Sequence, residues 1–476
     1  MNHAKEKAIN ESSRALAVEI LGQVDAEGGY ANLLLSQRLR TVKLSSSDAG
    51  FLTELVSGTL RERQFYDAVI EQASQRPTDS IDPLTLNILR TGAHQLLTLH
   101  TGAHAAVNES VELQRALGKQ SATGFVNGVL RTLSRQTREG WMEQLLLDIS
   151  DDDVRLSVVY SHPVWIVRAF RDALRLEDRE NELESLLAAD NTNPKVSIAV
   201  LPGAEIDIDR FAALLDEGTV LERGPSPIGF EMSGGNPARV LRDRSLANEE
   251  SIRVQDQGSQ LAALALIHAP VTTSSESQRW VDLCSGPGGK TAILAAAAEQ
   301  MGAKIRAIEK VEHRAQLVRQ AVRAHSAVVS VKTADGTGPD ALGDELYDRI
   351  LVDAPCTGLG ALRRRPESRS RKAVSDVAAL TQLQSKLLAN ALQHLKPGGV
   401  VAYVTCSPHL AETRAIVDRA LRESGDIEEL DAKEVLQEIA GESLDLAGEN
   451  SSVQLWPHRH ETDAMFIALL QRRLEL

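Results

Sequence analysis

Apolar positions in the first part of the chain recur with the period of a helix. Ala17, Ile20, Leu21 and Val24 share a face at i, i+3, i+4, i+7 spacing, as do Leu86, Leu89, Ala93, Leu96 and Leu97, and Val126, Val129, Leu130 and Leu133. The pattern predicts an all-α bundle over residues 1–140, with Ser46, Ser47 and Asp48 as candidate caps before the apolar face of Phe51, Leu52, Leu55 and Val56. Helical spacing continues through Trp165, Ile166, Ala169 and Phe170 and through Leu183, Leu186 and Leu187, and Asn191 to Pro194 ends it. Over 196–203 the run V-S-I-A-V-L-P-G alternates like a strand, 210–215 reads as a short helix, and the Gly/Pro/Ser-rich 224–230 as loop. Residues 141–245 therefore read as a helical linker and a small α+β insert. From Arg253 onward strand and helix patterns alternate, with strands at Trp280 to Cys284, Lys304 to Glu309, Val328 to Thr333, Arg349 to Asp353, Val400 to Thr405 and Met465 to Leu470. That order predicts a doubly wound, mostly parallel, Rossmann-like α/β domain over 246–476.

Length agrees with several domains, since 476 residues exceed what one core supports. The net charge of −14 argues against a nonspecific polyanion binder, so nucleic-acid contact would need local basic surfaces. Aromatic residues are 3%, which disfavours a protein built on base-stacking platforms. No apolar run reaches membrane-span length and the N-terminus lacks a signal-peptide core, so a cytoplasmic protein is expected. Three cysteines without a C-x-x-C pair point to reduced thiols. All three, Cys284, Cys356 and Cys406, fall at the carboxyl ends of predicted parallel strands, where open α/β sheets place their sites.

The stretch R-W-V-D-L-C-S-G-P-G-G-K-T reads as strand, glycine-rich turn and helix start. Gly286, Gly288 and Gly289 permit close backbone approach to a ligand, and Pro287 stiffens the turn. A phosphate-binding loop ending in Gly289, Lys290 and Thr291 would need glycine where Cys284 stands, so ATP and GTP are disfavoured. Glu309, twenty residues beyond Gly289, suits a ribose diol, and Asp335 closes the third strand near an adenine amino group. With no G-x-G-x-x-G, S-adenosylmethionine fits better than a dinucleotide.

The fourth strand runs into D-A-P-C-T-G-L-G (353–360) and the fifth into T-C-S-P (405–408). Methylation of a pyrimidine at C5 needs a thiolate that adds to C6, and a base that later removes the C5 proton. Two cysteines at strand tips suit that chemistry, and these residues leave open which one attacks. Beside Cys356 the run Arg363, Arg364, Arg365, Arg369, Arg371 and Lys372 reads as a phosphate clamp. His100 and His104, like His458 and His460, lack further ligands, so no metal is expected.

In this order D-L-C-S-G-P-G-G-K-T, D-A-P-C-T-G-L-G and Y-V-T-C-S-P resemble the motifs of the RsmB/NOP family of RNA cytosine-C5 methyltransferases. The runs I-L-R-T-G-A-H-Q-L-L, H-A-A-V-N-E-S-V-E-L and F-V-N-G-V-L-R resemble the NusB-like RNA-binding domain that precedes some bacterial members, and the likeness spans nearly the whole chain. The resemblance implies S-adenosylmethionine as cofactor and C5 of a cytidine in 16S ribosomal RNA as acceptor, met before or during subunit assembly. It implies that Cys406 is the nucleophile, that Cys356 helps break the adduct, and that Lys290 and Asp353 complete the catalytic set. Cys284, Ser285, Gly286, Pro287, Gly288, Gly289, Lys290, Glu309, Asp335 and Asp353 are implied to contact the cofactor, and 141–245 to hold a ferredoxin-like subdomain. Asn108, Glu109, Asn127 and Arg131 either pack or touch RNA. A helix expected just after Pro408 would favour a Cys406 thiolate through its N-terminal dipole. Ala464 and Met465 stand where the family more often has Gly-Phe. A monomer without membrane or metal is expected. The rivals are a tRNA methyltransferase of the same fold and a noncatalytic RNA-binding assembly factor.

Overall fold

A computed structural model describes residues 12–204, 211, 215, 219–234, 251–273 and 277–474. The chain packs as two units, one of Met1–Arg168, Leu187–Thr192 and Leu362–Arg371, the other of Ala169–Leu186, Asn193–Ala361 and Lys372–Leu476. The first unit is helical, and caps set its helix starts. Ser12 accepts from the Ala15 amide ahead of Ser13–Glu27, Ser45 from that of Asp48 ahead of Ser46–Arg61, and Asp82 from that of Thr85 ahead of Pro83–Leu97. The cap of the second of these is thus Ser45 rather than the three residues expected from sequence. Ala103–Leu117 and Thr123–Leu133 follow. The predicted apolar faces meet in two cores, one around Phe65, Ile88, Leu89 and Leu130, the other around Ile20, Leu52, Leu55 and Val56.

In the second unit a small antiparallel sheet has the order β2-β3-β1-β4, from β1 (Val196–Val200), β2 (Val220–Arg223), β3 (Gly229–Ser233) and β4 (Ile252–Val254). The helix expected over 210–215 lies largely outside the described residues. The larger sheet is formed by β5 (Arg279–Asp282), β6 (Lys304–Glu309), β7 (Val329–Thr333), β8 (Tyr347–Asp353), β9 (Leu395–Thr405), β10 (Ile427–Leu430), β11 (Val453–Gln454) and β12 (Phe466–Arg472). Its order is β10-β12-β9-β8-β5-β6-β7, with β11 beside β12. Strands β5 to β9 pair in parallel, whereas β12 runs antiparallel to both β9 and β10.

Helices Gln257–His268 and Gly289–Met301 cover one face of this sheet, their small residues Ala262, Ala265, Ala292 and Ala296 permitting close approach. Val374–Gln393 and Arg414–Glu423 supply Leu387, Ala391, Ile416 and Val417 to the other. Because β5 has β6 on one side and β8 on the other, the strand order reverses at β5, and ligands of such sheets bind beyond the strand ends at that reversal. The helix expected directly after Pro408 is displaced. Leu410–Glu412 forms a single 3-10 turn and the α-helix starts only at Arg414, so no α-helical N-terminus adjoins Cys406.

Candidate active site

The turn after β5 is held by its neighbours. The Gly286 amide donates to Glu309 Oε2 at 3.0 Å, the Val311 amide to Glu309 Oε1 at 3.0 Å, and Arg314 Nη2 to the Gly286 carbonyl at 2.6 Å. A Cβ at Gly286 would collide with that Glu309 oxygen, so any larger residue there would have to displace the bracing carboxylate or the turn. Gly288 adopts φ +107, and a side chain there would meet Ala321 Cβ at 2.7 Å. Ser285 Oγ donates to the Ile308 carbonyl at 2.9 Å, tying the turn to β6. Thr291 Oγ1 donates to buried Asp282 Oδ2 at 2.7 Å, and burial pushes the Asp282 carboxyl up to about 7. Burial, together with the charges of Asp282, Asp353 and Glu309, raises the half-buried Cys284 thiol well above its ordinary value, which keeps it protonated.

Glu309 thus braces the turn and retains further lone pairs for hydroxyls. Asp335 is exposed, bonded by Lys310 Nζ at 2.8 Å and by Thr337, and these partners hold its carboxyl down to about 2. Pro287 is exposed and Gly289 starts the helix. A glycine cradle with an acid at the end of each of the next two strands fits an adenosylated sulfonium cofactor.

Strand pairing brings the two motif cysteines together. Parallel β8 and β9 align Asp353 with Val404, and beyond these ends Cys356 Sγ and Cys406 Sγ lie 3.4 Å apart, too far for a disulfide and close enough for an S–H···S contact. The bond to Cys406, followed by burial and the charges of Cys406 and Glu412, drives the Cys356 thiol well up. Lys290 Nζ contacts Asp353 Oδ2 at 2.8 Å. Burial alone would lower the Lys290 ammonium, but the charges of Asp353, Cys406 and Asp282 outweigh it and raise it. The Cys356 sulfur is therefore held as a thiol, and the Cys406 sulfur interacts electrostatically with the Lys290 ammonium.

Sequence reasoning missed Glu412. It is fully buried and accepts from the Thr357 amide at 2.8 Å, from Thr357 Oγ1, from Ser407 Oγ at 2.7 Å and from Gln384 Nε2 at 3.1 Å. An acid six positions after Cys406, in the otherwise uncharged S-P-H-L-A-E, was the available signal.

The basic run needs correction. Arg369 is 4% exposed and donates to the carbonyls of Arg61, Ser161 and Asp190 and to Asn191 Oδ1. Arg371 donates to the carbonyls of Val24, Gly28 and Gly29, and Arg363 is buried. These three guanidiniums belong to the packing of the helical unit and are not a phosphate clamp, because backbone carbonyls already occupy the donors of Arg369 and Arg371 and burial removes Arg363 from solvent. Arg364 is half-exposed, and Arg365 is exposed with its guanidinium 5.0 Å from the Tyr30 ring centre.

Elsewhere in that unit Asn108, Asn127, Arg131, His104 and Val107 line a cavity of about 260 Å³. Glu109 is exposed nearby. In the second unit His458 bonds Glu182, and His460 Nδ1 accepts the Trp456 amide at 2.9 Å, both in packing roles. Met465 is buried and the Ala464 amide donates to the Gly360 carbonyl at 2.8 Å, so this pair backs the loop that follows Cys356.

Two protein families match the chain. Residues 269–471 match the model of the 16S rRNA methyltransferase RsmB/F family and residues 11–135 that of the NusB family. A putative methyltransferase of Mycobacterium tuberculosis is 44% identical, covering 97% of either chain. The probable ribosomal RNA small subunit methyltransferase B of Synechocystis is 31% identical over 97% of this chain and 99% of its own. The solved structure of PH0851 shares the fold, with a TM-score of 0.77 at 21% identity over 98% of this chain and 99% of its own. Among the described residues no helix is long and apolar enough to cross a membrane. With a NusB-family helical domain ahead of a glycine turn and two thiols at the tips of adjacent strands, the chain belongs to the RsmB/F family of 16S rRNA methyltransferases.

Proposed function

We propose that the protein transfers a methyl group from S-adenosylmethionine to C5 of a cytidine in 16S ribosomal RNA, through a transient bond between Cys406 and C6 of the base. The observation that carries this reading is the pair of sulfurs 3.4 Å apart, taken with the contact that joins Lys290, just after the glycine turn, to Asp353, three positions before Cys356. The cofactor supplies an electrophilic methyl group on sulfur. Cys284 to Lys290, Glu309, Asp335 and Asp353 would hold it, and the Lys290 ammonium would favour ionised Cys406. The Cys406 thiolate would add to C6 and make C5 nucleophilic, so that C5 could take the methyl group the cofactor would supply. Release would break the S–C6 bond: the Cys356 thiol would give its proton to the departing Cys406 sulfur and, as a thiolate, take up the C5 proton.

RNA contact through Asn108, Asn127 and Arg131 is part of the same proposal. Two amides offer donors and acceptors to a base edge, and a guanidinium suits a phosphate. Arg364 and Arg365 remain as outer phosphate contacts.

Methyl transfer to 16S rRNA tests the reading. Cys406→Ala is expected to abolish turnover and adduct, whereas Cys356→Ala accumulates a covalent protein–RNA species on denaturing gels. The reverse pattern exchanges the roles, and 5-methylcytosine mapped in tRNA rather than in 16S rRNA replaces the substrate.

A further inference from the structure

The two sulfurs sit in related places, each at a strand tip and half-buried, yet the proposed reaction needs them in different protonation states. Glu412 breaks the equivalence. Its carboxylate is bonded to the residue that follows each cysteine, Thr357 after Cys356 and Ser407 after Cys406, and these two hydroxyls are 3.0 Å apart. Gln384 Nε2 bridges Glu412 Oε1 and the Pro355 carbonyl, at 3.1 and 2.8 Å, so the segment before Cys356 is pinned as well. The Glu412 carbonyl accepts from Tyr403 Oη at 2.8 Å, fixing the 3-10 turn to β9.

Stitching two loops does not require a charge. A neutral amide could accept some of the same bonds, and a fully buried carboxylate with no cation within ion-pair distance among the described residues costs several kcal/mol relative to water. The bonding is also lopsided, because both carboxylate oxygens accept from Thr357 whereas one accepts from Ser407. The carboxylate is therefore held more heavily by the loop that carries Cys356 than by the one that carries Cys406.

We infer that Glu412 assigns the roles of the two cysteines: its buried negative charge keeps Cys356 a thiol, so that Cys406, on the Lys290 side, is the sulfur that ionises. Glu412 is a positioning residue that acts through the cysteines. The groups acting on Cys356 are Cys406 at the β9 tip and Glu412 on the 3-10 turn, opposed by the Gly358 amide, while Lys290, paired with Asp353, acts on the Cys406 side. The upward shift of Cys356, to which the Glu412 charge contributes, agrees with this arrangement. The inference deepens the proposed mechanism and rests on it for its meaning, but its test needs neither RNA nor cofactor.

Peptide-resolved alkylation rates against pH, in the full-length protein, measure each thiolate separately. Cys406→Ser reports Cys356 alone and Cys356→Ser reports Cys406 alone, each with and without Glu412→Gln. Below its titration point a thiol reacts in proportion to its thiolate fraction, so a drop of one pH unit in that point raises the rate about tenfold. The expected result is a rise of about tenfold at Cys356 and of less than about threefold at Cys406. Equal changes at both sulfurs, or none at Cys356, would overturn the inference. Should the glutamine variant not fold, Glu412→Asp retains the charge. Cys356 should then react within about threefold of its rate with Glu412 intact, and a larger rise overturns the inference. A normal alkylation pattern in a protein that does not methylate RNA would sink the proposed function and leave the charge assignment standing.

Discussion

Lys290 Nζ meets Asp353 Oδ2 at 2.8 Å, joining the start of the helix after β5 to the end of β8. Lys290 directly follows the glycine turn, and Asp353 lies three positions before Cys356. Lys290→Met would leave Asp353 without its cation and remove the positive charge that interacts with Cys406. Turnover should fall by on the order of 100-fold, the size seen when one charged stabiliser of a reacting group is removed. Single-turnover methyl transfer measures it, and Lys290→Arg should recover only part of the loss, because a planar fork does not replace a point charge.

Arg369→Met should destabilise the fold by about 3–5 kcal/mol, because the carbonyls of Arg61, Ser161 and Asp190 lose a buried donor together. Urea unfolding measures this. RNA affinity at a temperature where the variant stays folded should change less than about twofold, and a large loss of affinity at unchanged stability would restore the phosphate-clamp reading.

Gly286→Ala places a methyl against Glu309 Oε2 and must shift either the turn or the carboxylate. Cofactor affinity, read by calorimetry, should weaken at least about tenfold. Gly124→Ala, where the added methyl meets nothing within 4 Å, serves as the control and should bind cofactor normally.

Asp282 gives the stability a pH dependence of definite sign. Its carboxyl is pushed up to about 7 in the folded chain, against about 3.9 for an unfolded aspartate. The folded state therefore holds more protons between those values, and stability falls as pH rises from about 4 to about 7, by up to a few kcal/mol from this group. Asp282→Asn should flatten that slope in unfolding free energies compared at pH 5 and pH 8. An unchanged slope would show that the group ionises normally.

Much of the architecture was legible in the order of residues. Helical spacing located the bundle and strand–helix alternation located β5 to β9 and β12, because each is a short-range pattern written by neighbours on one element. β10 (I-E-E-L) and β11 escaped notice, being short and without an apolar run. The division of the linker also differs, since residues up to Arg168 pack with the helices while the small antiparallel sheet packs with the catalytic unit.

What the chain order could not decide was long-range. Cys356 and Cys406 are fifty positions apart, and only the parallel pairing of β8 with β9 makes them neighbours. Likewise a run of arginines has one sign whether its donors face water or carbonyls, so Arg369 and Arg371 became structural only when the fold supplied acceptors from distant segments. Glu412 looked like an ordinary acid until burial set its carboxylate beside the residues following both sulfurs. Periodicity selects which face of an element is buried; which partners that face and its ends then meet is a property of three-dimensional packing, and it is packing that tells two chemically identical thiols apart.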